Sequence, residues 1–149
     1  MSVVTPTSRT ASARARLFVE MAAQCPADKR VEFEAFVEAS IVFARAALHR
    51  VQTRYRGHPC WQAWWSALAT NPSVDFFRKE RDWLLKEASP KIGQRGFVGC
   101  AGGSEQGYQP ILADEFYFFE SPTVSATVTL TRHLEEIERV LAEAETLLA

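Results

Sequence analysis

One arginine in the stretch FFRKERDWLLKE, residues 76–87, has an unusual place in the hydrophobic pattern. Consecutive helical residues are about 100° apart, which puts Arg81 inside an apolar stripe. The stripe consists of Val74, Phe77, Leu84, Leu85 and Ala88. A guanidinium on an apolar face needs carboxylate, carbonyl or phosphate oxygens as partners. The pattern predicts that Arg81 pairs with an acid on another helix or lines a cleft or a subunit interface.

The neighbouring face of the same segment carries charges of alternating sign. These are Asp75, Lys79, Asp82 and Lys86, spaced four, three and four residues apart. Such pairs meet on a helix surface and stabilise it by about 0.2–0.5 kcal/mol each. The simplest interpretation of Asp82 and Lys86 is therefore a row of ion pairs that faces water.

A second polar row lies on the longest helical segment. Glu34, Glu38, Arg45, His49 and Gln52 fall within about 60° of one another on a helical wheel. Arg45 and His49 are one turn apart, beside a stripe that is otherwise apolar. Either these side chains are satisfied at the edge of a bundle, or they face Arg81 and form a site with it. The sequence leaves both interpretations open.

The hydrophobic period predicts five helices, over residues 11–25, 28–55, 59–69, 72–88 and 122–148. Asn71-Pro72 is a cap-and-start signal for the fourth helix, and Ser121-Pro122 is another for the last. The 28–55 helix is apolar around much of its surface, which indicates a central position. We expect one domain over residues 1–149, an all-α up-and-down bundle of four to five helices.

Two segments do not fit the helical pattern. Residues 1–10 are predicted to form a disordered tail that leads into the first helix. Residues 89–121 form an irregular insert that holds most of the glycines, and their spacing matches no phosphate-binding loop. A long mobile loop is the plain interpretation of that insert. At its end, FYFFE at 116–120 is expected to be a short strand or a buried anchor.

The charges are divided unevenly along a chain whose net charge is −1. Residues 1–100 carry a net charge of +6 and residues 101–149 a net charge of −7. The basic part either presents a face to phosphates or docks on the acidic C-terminal helix of the same or a neighbouring chain.

Composition and cysteine usage restrict the class of protein. No apolar run approaches the roughly 18 residues of a membrane span, so no membrane association is expected. The 3 cysteines are widely spaced and give neither a zinc pattern nor a disulfide framework, which favours a cytoplasmic location. His58-Pro-Cys60 lacks a second ligand pair, and we expect no metal or other cofactor.

Three segments in order resemble the HEPN superfamily: IVFARAALH, then CWQAWWSALATNP, then FFRKERDWLLKE. The resemblance is to the small bacterial members, helical bundles that are usually dimeric and often act as metal-independent ribonucleases. Their signature is often R-N-x-x-x-H-E. Arg81, Asp82 and Glu87 match its arginine, polar and acidic positions, whereas Lys86 stands at the histidine. The resemblance implies a homodimer whose contact includes the 72–88 helix.

The missing histidine matters for chemistry. In the family, the arginine is thought to hold the scissile phosphate while the histidine assists the ribose 2′-hydroxyl. That task needs a group that titrates near pH 7, and the ordinary pKa of lysine is about 10.4. Lys86, close to Arg78 and Arg81, suits phosphate contact better than proton transfer. His49 would substitute only if the helices bring it close.

These observations leave three functions open. The first is a HEPN-like module with lost or weak nuclease chemistry that binds RNA or a partner protein through Arg45, Glu38, Asp82 and Arg78. The second is an active metal-independent endoribonuclease that uses Arg81 with Lys86 or His49. The third is a structural or assembly protein without a nucleic-acid role. A cluster of tryptophans, Trp61, Trp64 and Trp65, fits core anchors better than a base-stacking surface.

Overall fold

The computed structural model describes residues 7–87, 90–95 and 116–149. The described residues form an all-α bundle of five helices with one small antiparallel sheet, which confirms the predicted fold class. The helices are α1 (Thr7–Ala23), α2 (Arg30–Tyr55), α3 (Trp61–Ala67), α4 (Pro72–Glu87) and α5 (Ala126–Leu148). A short 3-10 helix (Leu68–Thr70) extends α3. The strands are β1 (Ile92–Gln94) and β2 (Phe116–Phe118).

Helix α2 lies at the centre of the bundle, as its apolar surface predicts. It packs against α1, α4 and α5, and α1 also packs against α5. Its fully buried side chains include Phe33, Ile41 and Leu48. A buried polar contact joins α2 to α1, because Ser40 Oγ donates a hydrogen bond of 2.9 Å to the carbonyl of Ala15.

The start of α4 confirms its predicted cap. Asn71 Oδ1 accepts hydrogen bonds from the backbone N–H groups of Ser73 (2.9 Å) and Val74 (3.1 Å). Two of the N–H groups that a helix start leaves unpaired are thereby satisfied. Pro72 occupies the first helical position, where it needs no N–H partner. This cap fixes where α4 begins and therefore the position of each of its side chains along the helix axis.

The predicted starts of two other helices are wrong. Helix α5 begins at Ala126 rather than 122, and its cap is Ser125, whose Oγ accepts from Val128 N at 3.3 Å. Residues 121–124 turn the chain after β2 instead, with Val124 N donating to the carbonyl of Ser121. Helix α1 begins at Thr7, so residues 7–10 are helical and not part of a disordered tail. Residues 1–6 of that predicted tail lie outside the described residues.

The expected short strand is present as β2, which pairs antiparallel with β1. Ile92 lies opposite Phe118, and both side chains are buried. The ring of Phe116 stacks on Phe33 of α2 with centroids 4.2 Å apart, which holds the small sheet against the bundle. Gly93 leaves room there for the ring of Tyr117, which a Cβ atom at this position would displace. The predicted glycine-rich loop falls mainly on residues 96–115, outside the described residues.

Part of the uneven charge along the chain is neutralised by ion pairs between its first and last helices. Arg9 and Arg16 of α1 form ion pairs with Glu145 and Glu138 of α5, each at 2.8 Å. These contacts confirm that a basic part docks on the acidic C-terminal helix of the same chain. Each partly exposed pair contributes about 0–1 kcal/mol. In the described parts of the chain, no helix has both the length and the hydropathy needed to cross a membrane.

Candidate functional site

Arg81 does not lie on the buried face of α4, and that prediction is wrong for the isolated chain. Its side chain is exposed, and Leu85 from the predicted stripe is 71% exposed. The buried residues of α4 are Ser73, Val74, Phe76, Phe77, Glu80 and Leu84. This set is rotated from the predicted stripe by about one residue. The charged side chain that the helix aims at the bundle is therefore Glu80.

Arg81 nevertheless lies near enough to Arg45 of α2 for its charge to act on that residue, as one interpretation of the polar row requires. Arg45 is half-buried, and burial is the main cause that lowers its pKa from the ordinary value. The charges of Arg81 and Arg78 lower the pKa of Arg45 further, while Asp82 acts in the opposite direction. The packing of α2 on α4 thus brings Arg45, Arg78, Arg81 and Asp82 together. We call these four residues the arginine surface.

The carboxylates in and beside this surface, Asp82 and Asp75, interact with Arg78 and Lys79. Asp75 accepts from Arg78 at 2.7 Å and from Lys79 at 2.8 Å, and Asp82 lies 3.9 Å from Arg78. The predicted pair of Asp82 with Lys86 does not form among the described side chains. Arg45 and Arg81 make no ion pair or hydrogen bond within the same set. Two neighbouring guanidiniums are therefore left without an anionic partner in the described residues.

Three predicted site residues do not join the arginine surface. His49 and Lys86 are exposed and Glu38 is half-buried. In residues 7–87, 90–95 and 116–149, none of the three side chains donates to or accepts from the arginine surface. Glu34 of the same predicted row pairs with Arg30 at 2.9 Å. The members of the predicted row on α2 therefore have different surroundings. Arg45 is the member whose charge interacts with residues of α4.

The tryptophan cluster serves as core, which confirms that interpretation for Trp61 and Trp64. Both are buried, and Trp64 Nε1 donates to Glu143 Oε1 of α5 at 2.8 Å. Trp65 is only partly buried and stacks on Trp61, with centroids 4.9 Å apart. These rings anchor α3 to the bundle and are largely inaccessible to bases.

A second site, which the sequence did not predict, surrounds Glu80. This residue is 5% exposed, and its Oε2 atom has no hydrogen-bond partner among the described residues. Burial is the main cause that raises its pKa to about 7. The negative charge of Glu120 adds to this shift and the positive charge of Lys91 opposes it. A buried carboxyl group with an unsatisfied oxygen calls for a functional explanation.

Glu80 lines a cavity of about 310 Å³ beside the small sheet. Its walls come from α4 and from the residues that flank β1 and β2: Phe76, Lys79, Glu80, Lys91, Phe119 and Glu120. Two rings, two carboxyl groups and two lysines therefore surround one space. We call it the Glu80 cavity.

Behind this cavity, Phe76 stacks on His133 of α5 with centroids 4.0 Å apart. His133 Nδ1 lies 2.9 Å from Ser73 Oγ, within hydrogen-bond distance. Burial lowers the pKa of His133 below its ordinary value of 6.5, so the imidazole is neutral at pH 7. The histidine therefore acts as a flat, neutral support for the Phe76 wall.

The sequence did contain a signal for Glu80. It lies four residues after Phe76, three after Phe77 and four before Leu84, which is the spacing of one helical face. The helical wheel of α4 was equally compatible with an apolar stripe through Arg81, because apolar residues lie on both sides of Glu80 and Arg81. No signal in the sequence connects Glu80 to Lys91 or Glu120, which β1 and β2 bring to it.

No protein family, curated protein or solved structure matches this chain. Within the described residues, no group of three or more His, Cys, Asp or Glu side chains is arranged to hold a metal ion. His58 Nδ1 instead accepts from the backbone N–H of Cys60 at 3.0 Å. The geometry of the two sites therefore carries the functional argument.

Proposed function

We propose that this protein is an RNA-binding module that holds the phosphate backbone at the arginine surface. The observation that carries the proposal is that two like-charged side chains, Arg45 and Arg81, are neighbours. They are close enough for the charge of Arg81 to lower the pKa of Arg45, and although the charge of Asp82 acts in the opposite direction, neither arginine forms an ion pair with a described carboxylate. A phosphate bound between them would relieve this repulsion and accept hydrogen bonds from both guanidiniums.

The surroundings favour a nucleic acid over a small anion. Lys79 lies next to Arg78 on α4, and Lys86 is exposed about two turns after Lys79. Such a row follows a charged backbone better than it encloses one ion. The resemblance of FFRKERDWLLKE to the HEPN signature supports RNA in particular. The cytoplasmic location expected from the cysteines belongs to the same proposal.

Binding is better supported than cleavage. Ribonuclease chemistry needs a general base near the bound phosphate. His49 and Lys86 are both exposed, and neither makes a described hydrogen bond to Arg81. If cleavage occurs, we expect it to be weak, to survive a chelator and to be lost in Arg81→Ala. Cleavage that EDTA abolishes and Arg81→Ala leaves intact would contradict the ribonuclease alternative.

The test is fluorescence anisotropy with a labelled single-stranded RNA of mixed sequence. We expect Arg81→Ala and Arg45→Gln each to weaken binding by about tenfold, since each removes a charged hydrogen bond to phosphate. Arg45→Gln keeps much of the half-buried side chain, which limits damage to packing. Circular dichroism would verify that both variants keep their helices.

Arg56→Ala is the matched control. It removes the same charge from an exposed residue about 16 Å further along the axis of the same helix. We expect it to change the affinity by less than about twofold. Equal losses in all three variants would mean that overall charge alone attracts RNA. An absence of RNA binding by the parent protein would favour the structural or assembly role.

A homodimer through α4 is part of the same proposal, and Leu85 is the observation that favours it. This leucine is 71% exposed beside Arg81, so part of the predicted apolar stripe is unburied in the chain. A two-fold axis there would bring two arginine surfaces together. Light scattering should then report a dimer at tens of micromolar concentration and a monomer for Leu85→Glu. A clean monomer for the parent protein would contradict this arrangement.

A further inference from the structure

The Glu80 cavity has the dimensions and walls of a small-molecule site. Its volume of about 310 Å³ is at the lower end of the range for ligand pockets. The rings of Phe76 and Phe119 supply apolar walls. Phe119 is 61% exposed, which is a large exposure for a phenylalanine unless something packs on it. Neither ring explains why a carboxyl group is buried in the same lining.

Besides the volume and the apolar walls, the carboxyl group of Glu80 independently indicates a ligand site. Its unpartnered Oε2 atom is shielded from water, and such an oxygen costs free energy until a donor reaches it. Glu120 lies close enough for its charge to act on Glu80. The cavity therefore holds two carboxyl groups that repel each other when both are ionised, and a ligand that donates hydrogen bonds would relieve both penalties.

The lysines of the cavity make their described contacts with other groups, although the charge of Lys91 also acts on Glu80. Lys79 Nζ forms an ion pair with Asp75 at 2.8 Å, on the surface of α4. Lys91 Nζ lies over the ring of Trp83, 4.2 Å from its centroid. Neither ammonium group forms an ion pair with Glu80 or Glu120 among the described residues. An ammonium group from a ligand would therefore give these two carboxyl groups an ion-pair partner that the described lysines do not provide.

We infer that the Glu80 cavity binds a small organic amine, with the ammonium group held by Glu80 and Glu120 and the body of the ligand between Phe76 and Phe119. Carboxylates and aromatic faces together are the surroundings that favour an organic cation. The inference does not depend on the arginine surface, because none of the six residues that line the cavity belongs to that surface. An RNA-binding defect would leave it untouched.

The test compares three ligands with one body and different head groups, measured by isothermal titration calorimetry. Phenethylamine carries an ammonium group, 2-phenylethanol a hydroxyl group and phenylacetate a carboxylate. We expect phenethylamine to bind at least about tenfold more tightly than the other two. Tighter binding of phenylacetate would overturn the inference, since it would show that the lysines or a protonated Glu80 select an anion. No binding of phenethylamine up to about 10 mM would overturn it too.

Variants locate the site. Glu80→Gln keeps the shape and removes the charge, and it should weaken phenethylamine binding by about tenfold or more. Phe119→Ala alters an exposed ring and should weaken it without unfolding the protein. Glu20→Gln, which removes an exposed carboxylate from α1, is the control and should bind like the parent. Unchanged affinity in both Glu80→Gln and Phe119→Ala would place any binding elsewhere.

Binding should also depend on pH. The charged groups near Glu80 are Lys79 on its own helix, and Lys91 and Glu120 next to the strands; His133 of α5 lies behind Phe76 and stays neutral above its ordinary pKa. A primary amine keeps its proton throughout this range. Since ionised Glu80 is the partner, affinity for phenethylamine should rise about fourfold from pH 6.5 to pH 8. A fall over this range would contradict the role of Glu80.

Discussion

Glu80 and Arg81 are neighbours in the sequence, and the structure treats their charges in opposite ways. Glu80 faces the bundle and is 5% exposed, whereas Arg81 faces outward from the same helix. Neither forms an ion pair among the described residues. Burial raises the pKa of Glu80 to about 7, whereas the side chain of Arg81 is exposed to solvent. Consecutive residues are about 100° apart around a helix. One of these unpaired charges is therefore buried, which costs free energy, whereas the other is accessible to a ligand.

The largest expected effect concerns the buried member of this comparison. The folded state of the parent protein releases the Glu80 proton near pH 7, whereas the unfolded state releases it near 4.5. The resulting stability is fully present below pH 4.5 and is lost as pH rises through 7. It amounts to about 3 kcal/mol in the free energy of unfolding. Glu80→Gln should lack this loss.

Urea unfolding of both proteins at pH 5 and pH 8 measures that difference. The gain of Glu80→Gln relative to the parent should be about 2.5 kcal/mol larger at pH 8 than at pH 5. The comparison cancels the shifts that both proteins share, such as the lowered pKa of His133. Glu20→Gln should follow the parent at both pH values. If the free energies of unfolding of Glu80→Gln and the parent differed by the same amount at pH 5 and pH 8, Glu80 would have to be well solvated or paired.

Reversing the exposed charge should sharpen the contrast. Arg81→Glu places a negative charge beside Arg45, which would then have a carboxylate partner and no need of phosphate. We expect RNA affinity to fall by about thirtyfold, or roughly 2 kcal/mol. The free energy of unfolding should change little, because the residue is exposed. A large loss of stability with unchanged RNA affinity would show that Arg81 is structural.

Asp82 should oppose RNA binding, because its charge acts on Arg45. Asp82→Asn removes this negative charge from the arginine surface and keeps the side-chain shape. We expect RNA to bind about threefold more tightly, which is roughly 0.7 kcal/mol. Anisotropy in the same buffer measures this change. Weaker binding after the substitution would indicate that Asp82 contacts the RNA itself, as the resemblance to the HEPN signature implies.

The smallest effect is expected at Lys86, which has no described ion pair with Asp82. Lys86→Ala should change the free energy of unfolding by less than about 0.5 kcal/mol and weaken RNA binding by about twofold. Lys86→Arg should bind like the parent. Lys86→His introduces the histidine of the HEPN signature, and a gain of ribonuclease activity there would support the alternative function. Stronger RNA binding by Lys86→Ala would contradict a contact between Lys86 and phosphate.

Local signals in the sequence predicted most of the fold. The Asn71-Pro72 start of α4 and the period of five helices depend on neighbouring residues, and the structure agrees with them. The start of α5 was wrong because Ser121 and Ser125 offer equal capping chemistry, and only the turn after β2 selects the second. The arginine surface was predicted in part, because helical spacing identifies Arg45 and Arg81 but not which face of α4 is buried.

The Glu80 cavity could not be predicted, since its walls come from segments far apart in the chain. Lys91, Phe119 and Glu120 reach Glu80 only because β1 pairs with β2. Apolar residues lie on both sides of Glu80 and Arg81 along α4, so the hydrophobic pattern fits either rotation of the helix. The contacts with α5 and the strands settle that rotation, and they depend on tertiary packing rather than on the period.

The salt dependence of RNA binding tests the central claim about the arginine surface most directly. Each phosphate contact on a single strand contributes about 0.7 to the slope of log affinity against log salt. Replacing both Arg45 and Arg81, as Arg45→Gln with Arg81→Ala, should reduce that slope by about 1.4 relative to the parent. Arg56→Ala should leave it unchanged. Equal slopes for the parent and the double variant would contradict phosphate binding by these two arginines.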